Sequence, residues 1–247
     1  MNKLSDYLLR AGLTKSIVIV TILSILLSIL VTYCAITFMF GQQPDILQNL
    51  LVAVIVSGIV APIASGGFLK LLFKVDALEK ETRYLANFDA LTGLYTRRAF
   101  YDHAQRQLNL ARRESKSIAM LVADLDGFKN IKDTFGHQAG DMALKYVSHI
   151  IKQTVRESDI AGRVGGDEFV FCLPSASLEE ALKFGQRLVE NIQSSTFVYE
   201  NNQIDLSMSI GLDSSDAHES SEIDLMIKNA DQALYRAKKA GKNQLAV

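Results

Sequence analysis

Residues 163–171 read Arg163-Val164-Gly165-Gly166-Asp167-Glu168-Phe169-Val170-Phe171, with Cys172 next. Two glycines followed by two adjacent carboxylates, flanked by short apolar runs, predict a tight β-hairpin with acids at its tip. Glycine lets backbone approach a bulky anion, and a carboxylate beside it can hold a divalent metal. Upstream, Met120-Leu121-Val122-Ala123-Asp124-Leu125-Asp126 predicts an apolar strand that ends in a second acidic pair. Two strands presenting clustered acids suit a metal-dependent phosphoryl or nucleotidyl transfer.

The elements that must position these acids follow from periodicity and turn signals. A helix is predicted from about Thr96 to Glu114 and a strand from Ser117 to Asp124. A second helix runs from about Gly127 to Glu157, broken near Thr134-Phe135-Gly136. After the hairpin come a helix from Leu178 to Gln193, strand pairs within Phe197 to Gly211, a helix from about Ser221 to Lys239 and a strand at Asn243 to Val247. This order of strands and helices indicates an α+β domain with helices packed on a sheet. The 247-residue chain carries a net charge of −1, which gives no sign of a general nucleic-acid binder.

The first part of the chain differs in character. Ser16 to Phe40 and Leu50 to Leu69 contain no charged residue, and each reaches the roughly 20 residues that cross a bilayer as a helix. Two transmembrane helices, at about 16–40 and 50–69, are expected. A cleaved signal peptide is disfavoured because the first run is too long and no small-residue cleavage site follows it. Lys3, Arg10 and Lys15 precede the first run, and Lys70, Lys74 and Lys80 follow the second. The loop Gly41 to Asn49 has no Lys or Arg and only Asp45, so both ends of the pair are expected in the cytoplasm. That loop is too short for a folded external sensor. Ser24, Ser28 and Thr32, and Ala53, Ser57, Ala61 and Ser65, recur every four residues, a spacing that suits close helix approach or simple tolerance of lipid. Pro62 is expected to kink the second span. Leu71, Val75, Leu78, Thr82 and Leu85 then form an a/d seam, either a parallel two-stranded stalk or a solvated connecting helix. Cys34 and Cys172 have no metal-ligand spacing and read as reduced thiols.

Several spaced motifs stand in one order: Asp89-Ala90-Leu91-Thr92-Gly93-Leu94 with Arg97-Arg98; Asp124-Leu125-Asp126-Gly127-Phe128-Lys129; Gly136-His137 through Gly140-Asp141; Gly165-Gly166-Asp167-Glu168-Phe169; and Asp231-Gln232-Ala233-Leu234-Tyr235-Arg236-Ala237-Lys238. With them the chain resembles the GGDEF-domain family of diguanylate cyclases from about residue 88 to 247. The resemblance implies a palm-like domain with a central, mainly antiparallel sheet flanked by helices, preceded by a membrane anchor at 1–73 and a helical stalk at 74–87. It implies condensation of two GTP into cyclic di-GMP and two pyrophosphates by a homodimer, with two Mg²⁺ or Mn²⁺ ions in each active site. Asp124, the Leu125 carbonyl, Asp167 and Glu168 are then the metal-site residues, with Asp167 the candidate base and Glu168 beside it. Lys129, Lys238 and Lys242 answer the triphosphate, Lys242 standing where arginine is common. His137 and Asp141 lie on the substrate side, and Asp141 suits the donors of guanine. Arg156 and Asp159 match an inhibitory product site, and Arg187 could supply a second arginine to it.

The chain departs from the family at Lys132, where asparagine usually meets the guanine edge. Lysine donates to O6 or N7 but cannot accept from the exocyclic amine. Two alternatives therefore stand beside a diguanylate cyclase of the bacterial inner membrane: a catalytically silent membrane receptor for cyclic di-GMP, and a related cyclase with relaxed base choice. The residues at the acidic hairpin favour turnover; Lys132 favours the alternatives.

Overall fold

The computed structural model describes residues 13–40, 46–215 and 222–247. Lys3, Arg10, Gly41, Asp45 and the expected helix start at Ser221 lie outside the described residues, as do the side chains of Thr32, Ala53, Ser57, Ala61, Pro62 and Ser65. The chain divides into two compact units, Met1–Thr82 and Arg83–Val247.

In the first unit, α1 (Leu13–Phe40) is 28 residues long with Lys15 as its one charged side chain. The following helix, α2 (Ile46–Asn87), runs for 42 residues and contains the expected stalk, so the division between units falls inside a helix. Along its last turns Leu71, Val75, Leu78 and Leu85 are each at least half exposed. Asp76 and Lys80, one turn apart, pair at 2.8 Å. Among the described residues no helix is long and apolar enough to cross a membrane; both apolar runs are interrupted by positions outside the described side chains. Two membrane spans are thus not established by the fold.

The second unit is built on a six-stranded sheet of β1 (Tyr95–Thr96), β2 (Ile118–Leu125), β3 (Ile160–Arg163), β4 (Glu168–Pro174), β7 (Met208–Ser215) and β8 (Leu245–Ala246). Its order is β1-β3-β4-β2-β7-β8. The centre is antiparallel, and the two short edge strands are added in parallel, β1 beside β3 and β8 beside β7. The expected mainly antiparallel sheet is therefore present; β8 lies within the strand expected at Asn243 to Val247, whereas the two-residue β1 is too short to leave a periodic signal in the sequence. The remaining strands, β5 (Phe197–Tyr199) and β6 (Asn202–Ile204), form a separate hairpin. Its turn residues Glu200 and Asn201 both have positive φ, the geometry of a two-residue hairpin turn.

Alternation along β2 and β4 explains the layers. Leu121, Ala123, Leu125, Phe169, Phe171 and Leu173 face α4 (Phe128–Thr154) and α5 (Leu178–Gln193) in one core. Met120, Val122, Val170 and Cys172 face α3 (Arg97–Glu114) and α6 (Ile223–Lys239) in the other. A strand buried on both faces reads as a continuous apolar run, as β2 does. Gly211 lets α6 sit directly on β7: a Cβ there would lie 2.0 Å from the Ala230 carbonyl and 2.2 Å from the Leu234 nitrogen. α4 is interrupted at Gly136 (φ 86°, ψ 168°), where the sequence predicts a break, and it ends at Thr154, short of the expected Glu157.

Candidate active site

The hairpin between β3 and β4 closes through Val164 N–H donating to the Glu168 carbonyl at 3.1 Å. Gly165 leaves room for Glu168 to fold back over it, since a Cβ would lie 2.6 Å from Glu168 Oε2. The Gly166 carbonyl accepts from Arg163 Nε at 3.2 Å and Nη2 at 2.7 Å. Arg163 Nη1 in turn meets Asp89 Oδ1 at 3.0 Å. Asp89 also accepts from Thr92 N at 2.9 Å and Thr92 Oγ1 at 2.6 Å. Burial pushes the Asp89 carboxyl up, but the hydrogen bonds from Thr92 and Arg163 outweigh it and hold it below its ordinary value. Lys152 Nζ completes the turn by donating to the Thr92 carbonyl at 2.7 Å. Arg163 and Asp89 belong to sequence motifs that gave neither of them a role; the Asp89-x-x-Thr92 spacing of a side-chain-capped turn is the signal for Asp89, and no local signal pairs it with Arg163.

Strand register brings the two acidic segments together. Asp124 is paired across the ladder with Glu168 on one side and Ser209 on the other. Leu125 N–H donates to the Asp167 carbonyl at 3.1 Å, which straps the hairpin tip to the end of β2. Asp124 Oδ1 pairs with Lys238 Nζ at 2.9 Å. Burial pushes the Asp124 carboxyl up; Lys238 pulls it down, and neighbouring Asp167 and Asp126 add to the upward push, leaving it raised. Asp126 is engaged differently: its carboxylate accepts from Ser209 Oγ at 2.8 Å, Ser207 Oγ at 3.3 Å and Asn243 N at 3.0 Å.

Among the described residues no three His, Cys, Asp or Glu side chains form a ready metal cluster. The donors present still fit a divalent cation of the magnesium kind. That ion is held by one or two carboxylates together with water and substrate phosphates, without a complete protein cage. Asp124 is a partly buried carboxylate, held by Lys238 as its paired cation and raised further by the negative charge of Asp167 and Asp126, a burden a divalent ion would relieve.

The other expected residues surround this point unevenly. Lys129 is exposed on the first turn of α4, and His137 and Asp141 are exposed on the half that follows the Gly136 break. Lys132 is half-buried, with Nζ 4.6 Å from the centre of the Phe128 ring. Its stem lies where a side chain on Gly140 would be, because a Cβ there would sit 2.6 Å from Lys132 Cγ. Lys242 is exposed in a left-handed turn (φ 64°) after α6.

Arg156, Asp159 and Arg187 line one pocket together with Leu173, Phe184 and Lys183. Asp159 Oδ2 accepts from the Arg156 amide at 2.8 Å, fixing the turn. Arg187 donates to the Thr154 carbonyl at 3.4 Å and stands 5.8 Å from the Phe184 ring. No sequence motif assigns Arg187 to that pair. The pocket borders the Pro174 end of β4, whereas Glu168 and the acidic hairpin are at the other end.

The family model described as "Diguanylate cyclase, GGDEF domain" matches residues 86–244. Diguanylate cyclase DgcP of Pseudomonas aeruginosa is 33% identical over 193 residues, covering 74% of this chain and 28% of that protein. Diguanylate cyclase DosC of Escherichia coli is 36% identical over 171 residues, covering 69% of this chain and 37% of its own. The chain thus spans well under half the length of these two relatives. Among solved structures, the coiled coil and GGDEF domain of DgcB from Caulobacter crescentus in complex with c-di-GMP superposes with a TM-score of 0.65 at 27% identity, covering 70% of this chain and 91% of that one. The family match takes in β1 through α6 with both acid-bearing strands, and the chain belongs to the diguanylate cyclase GGDEF-domain family.

Proposed function

We propose that this chain is a diguanylate cyclase that joins two GTP molecules into cyclic di-GMP and releases two pyrophosphates. The observation that carries the reading is the strand register that bonds Leu125 N–H to the Asp167 carbonyl beside the Asp124–Lys238 ion pair at one end of the sheet. Each 3′-hydroxyl attacks the α-phosphorus of the other nucleotide; a P–O bond forms and the bond to pyrophosphate breaks. Two domains must face each other for this, so the active species is a homodimer. When bound, two divalent ions, Mg²⁺ or Mn²⁺, would supply charge neutralisation at the phosphates and a more nucleophilic hydroxyl. Asp124, the Leu125 carbonyl and Asp167 would hold them, with Glu168 alongside, and Asp167 takes the hydroxyl proton. Lys129, Lys238 and Lys242 counter the triphosphate, while His137 and Asp141 line the substrate side. Arg156, Asp159 and Arg187 form a product-inhibition site, a reading supported by the pocket they share and by the cyclic di-GMP bound to the DgcB domain.

The first unit is proposed as a membrane anchor in the bacterial inner membrane, with both ends and the catalytic domain cytoplasmic. The support for α1 in this role is its sequence, since Ser16 to Phe40 carries no charged residue and exceeds the roughly 20 residues expected of a bilayer-crossing helix. Val18, Ile22, Leu23, Leu26, Leu27 and Leu30 are exposed on it, and a helix apolar on all sides suits lipid.

The test is to reconstitute the chain in lipid, add GTP with magnesium or manganese, and look for cyclic di-GMP. No product overturns the reading. Asp167→Ala is expected to abolish turnover while leaving thermal unfolding unchanged; undiminished turnover rejects the assignment of Asp167. Binding of cyclic di-GMP without turnover instead identifies a silent receptor. Lys132, lodged between Phe128 and Gly140, favours a second reading with relaxed base choice, in which mixed ATP and GTP yield mixed products.

A further inference from the structure

Asp124 and Asp126 end the same strand and by residue type are equal candidates for metal binding. Their surroundings separate them. Asp126 already meets three donors: Ser209 Oγ, shared between Oδ1 at 2.8 Å and Oδ2 at 3.0 Å, and Ser207 Oγ at 3.3 Å and Asn243 N at 3.0 Å on Oδ2. The Asp126 amide also donates to the Ser207 carbonyl at 2.9 Å. Three donors occupy most of the roughly four lone-pair sites of a carboxylate and leave it less free for a cation than Asp124, whose side chain has Lys238 as its one described partner.

What Asp126 holds is the turn after α6. Lys242 (φ 64°) and Asn243 (φ 48°) are consecutive non-glycine residues in the left-handed region, a conformation that persists only where surrounding contacts hold it. Lys242 N–H donates back to the Ala237 carbonyl at 3.1 Å, and Asn243 N–H donates to Asp126. The Asn243 side chain does not supply the missing restraint through its oxygen, because Oδ1 is buried without a hydrogen-bond donor. The turn carries Lys242, and the helix before it carries Lys238, which pairs with Asp124. We infer that Asp126 is a positioning residue that sets Lys242 for the nucleotide triphosphate, and is not a metal ligand; the inference rests on the cyclase reading above.

The experiment is a double-mutant cycle of Asp126→Asn and Lys242→Ala in the whole chain reconstituted in lipid. Affinity for α,β-methylene-GTP with magnesium is measured beside turnover of GTP. Asp126→Asn is expected to weaken the analogue by about tenfold and to leave the magnesium concentration of half-maximal effect unchanged. The double variant is expected to bind no more weakly than Lys242→Ala alone, since the two residues act as one unit. Additive losses overturn the inference, as does a Lys242→Ala variant that binds like the wild type. A shifted magnesium requirement with unchanged analogue affinity overturns it in favour of metal ligation. If Asp126→Asn does not fold, Ser209→Ala, which keeps the carboxylate and removes one donor, takes its place in the cycle under the same criteria. A wild type that binds the analogue and makes no cyclic di-GMP defeats the cyclase reading alone, and the binding cycle still decides the role of Asp126.

Discussion

Two carboxylates near the hairpin are pushed in opposite directions, and each push has a consequence. Asp124 is raised above its ordinary value, chiefly by burial. Its ionised form is therefore disfavoured by folding; the metal-free protein gains stability from this group as pH falls through the raised value to 3.8, below which the gain is complete, and loses it again as pH rises. Asp124→Asn is expected to melt no lower than wild type in metal-free buffer at neutral pH, while turnover drops by about a thousandfold; thermal unfolding beside a cyclic di-GMP assay checks both halves. Asp89 is lowered below its ordinary 3.8 by Thr92 and Arg163 acting against burial. Its contribution to stability is complete above that value and is lost as pH falls from it through the lower folded value. Asp89→Asn should cost on the order of 1 kcal/mol at neutral pH and flatten the acid limb of a urea-unfolding series. An unchanged acid limb would show that Asp89 does not hold the hairpin.

Elements differ in how much change they tolerate, and two glycines show why. At Gly211 a new Cβ meets backbone of α6 at 2.0 and 2.2 Å; neither helix nor strand can move aside without opening the core. Gly211→Ala is expected to cost about 3 kcal/mol or more. At Gly165 the new Cβ meets the far end of the Glu168 side chain at 2.6 Å, and a flexible side chain can swing away. Gly165→Ala is expected to cost less than about 1 kcal/mol yet to lower turnover, because Glu168 leaves its position beside Asp167. Urea unfolding and initial rates on the two variants separate the effects. The capping box of Ser177 and Glu180 at the start of α5 shows the reverse case, where local sequence alone sets an element's boundary.

At the scale of the molecule, the acidic hairpin and the arginine pocket stand at opposite ends of β4, a strand of 7 residues. That is a separation of about 20 Å at ~3.3 Å per residue, so a product bound at Arg156 does not block the hairpin of its own domain by direct contact. Under the product-inhibition proposal, inhibition would work through domain arrangement, and the exposed seam Leu71, Val75, Leu78 and Leu85 on α2 is the candidate to set it. If that seam pairs two copies, Leu78→Lys is expected to lower turnover about tenfold at a fixed dilute concentration, with recovery as the protein is concentrated. Crosslinking and rate against concentration test this; a rate independent of concentration in the variant would remove the seam from the mechanism.

The acid-bearing strands, the helices that frame them, the break at Gly136 and the helical run through Leu71 to Leu85 on α2 were legible in the sequence. Each depends on residues close together in the chain, where periodicity and turn chemistry act directly. The family resemblance added the metal, phosphate and product residues as expectations, and the fold ties the Asp167 backbone to the end of β2 beside Asp124. Tertiary structure alone decided which acid is crowded and which is satisfied. Asp126 finds Ser207, Ser209 and Asn243 at 81, 83 and 117 residues away, and Arg163 finds Asp89 at 74. Such pairs depend on strand order and register, which no local pattern specifies. The sequence by itself determined the chemistry on offer at the strand ends; the register of β2 between β4 and β7 decided that Asp124 faces Lys238 and Asp126 faces the serines and the Lys242 turn, because only the assembled sheet sets distances between segments so far apart in the chain.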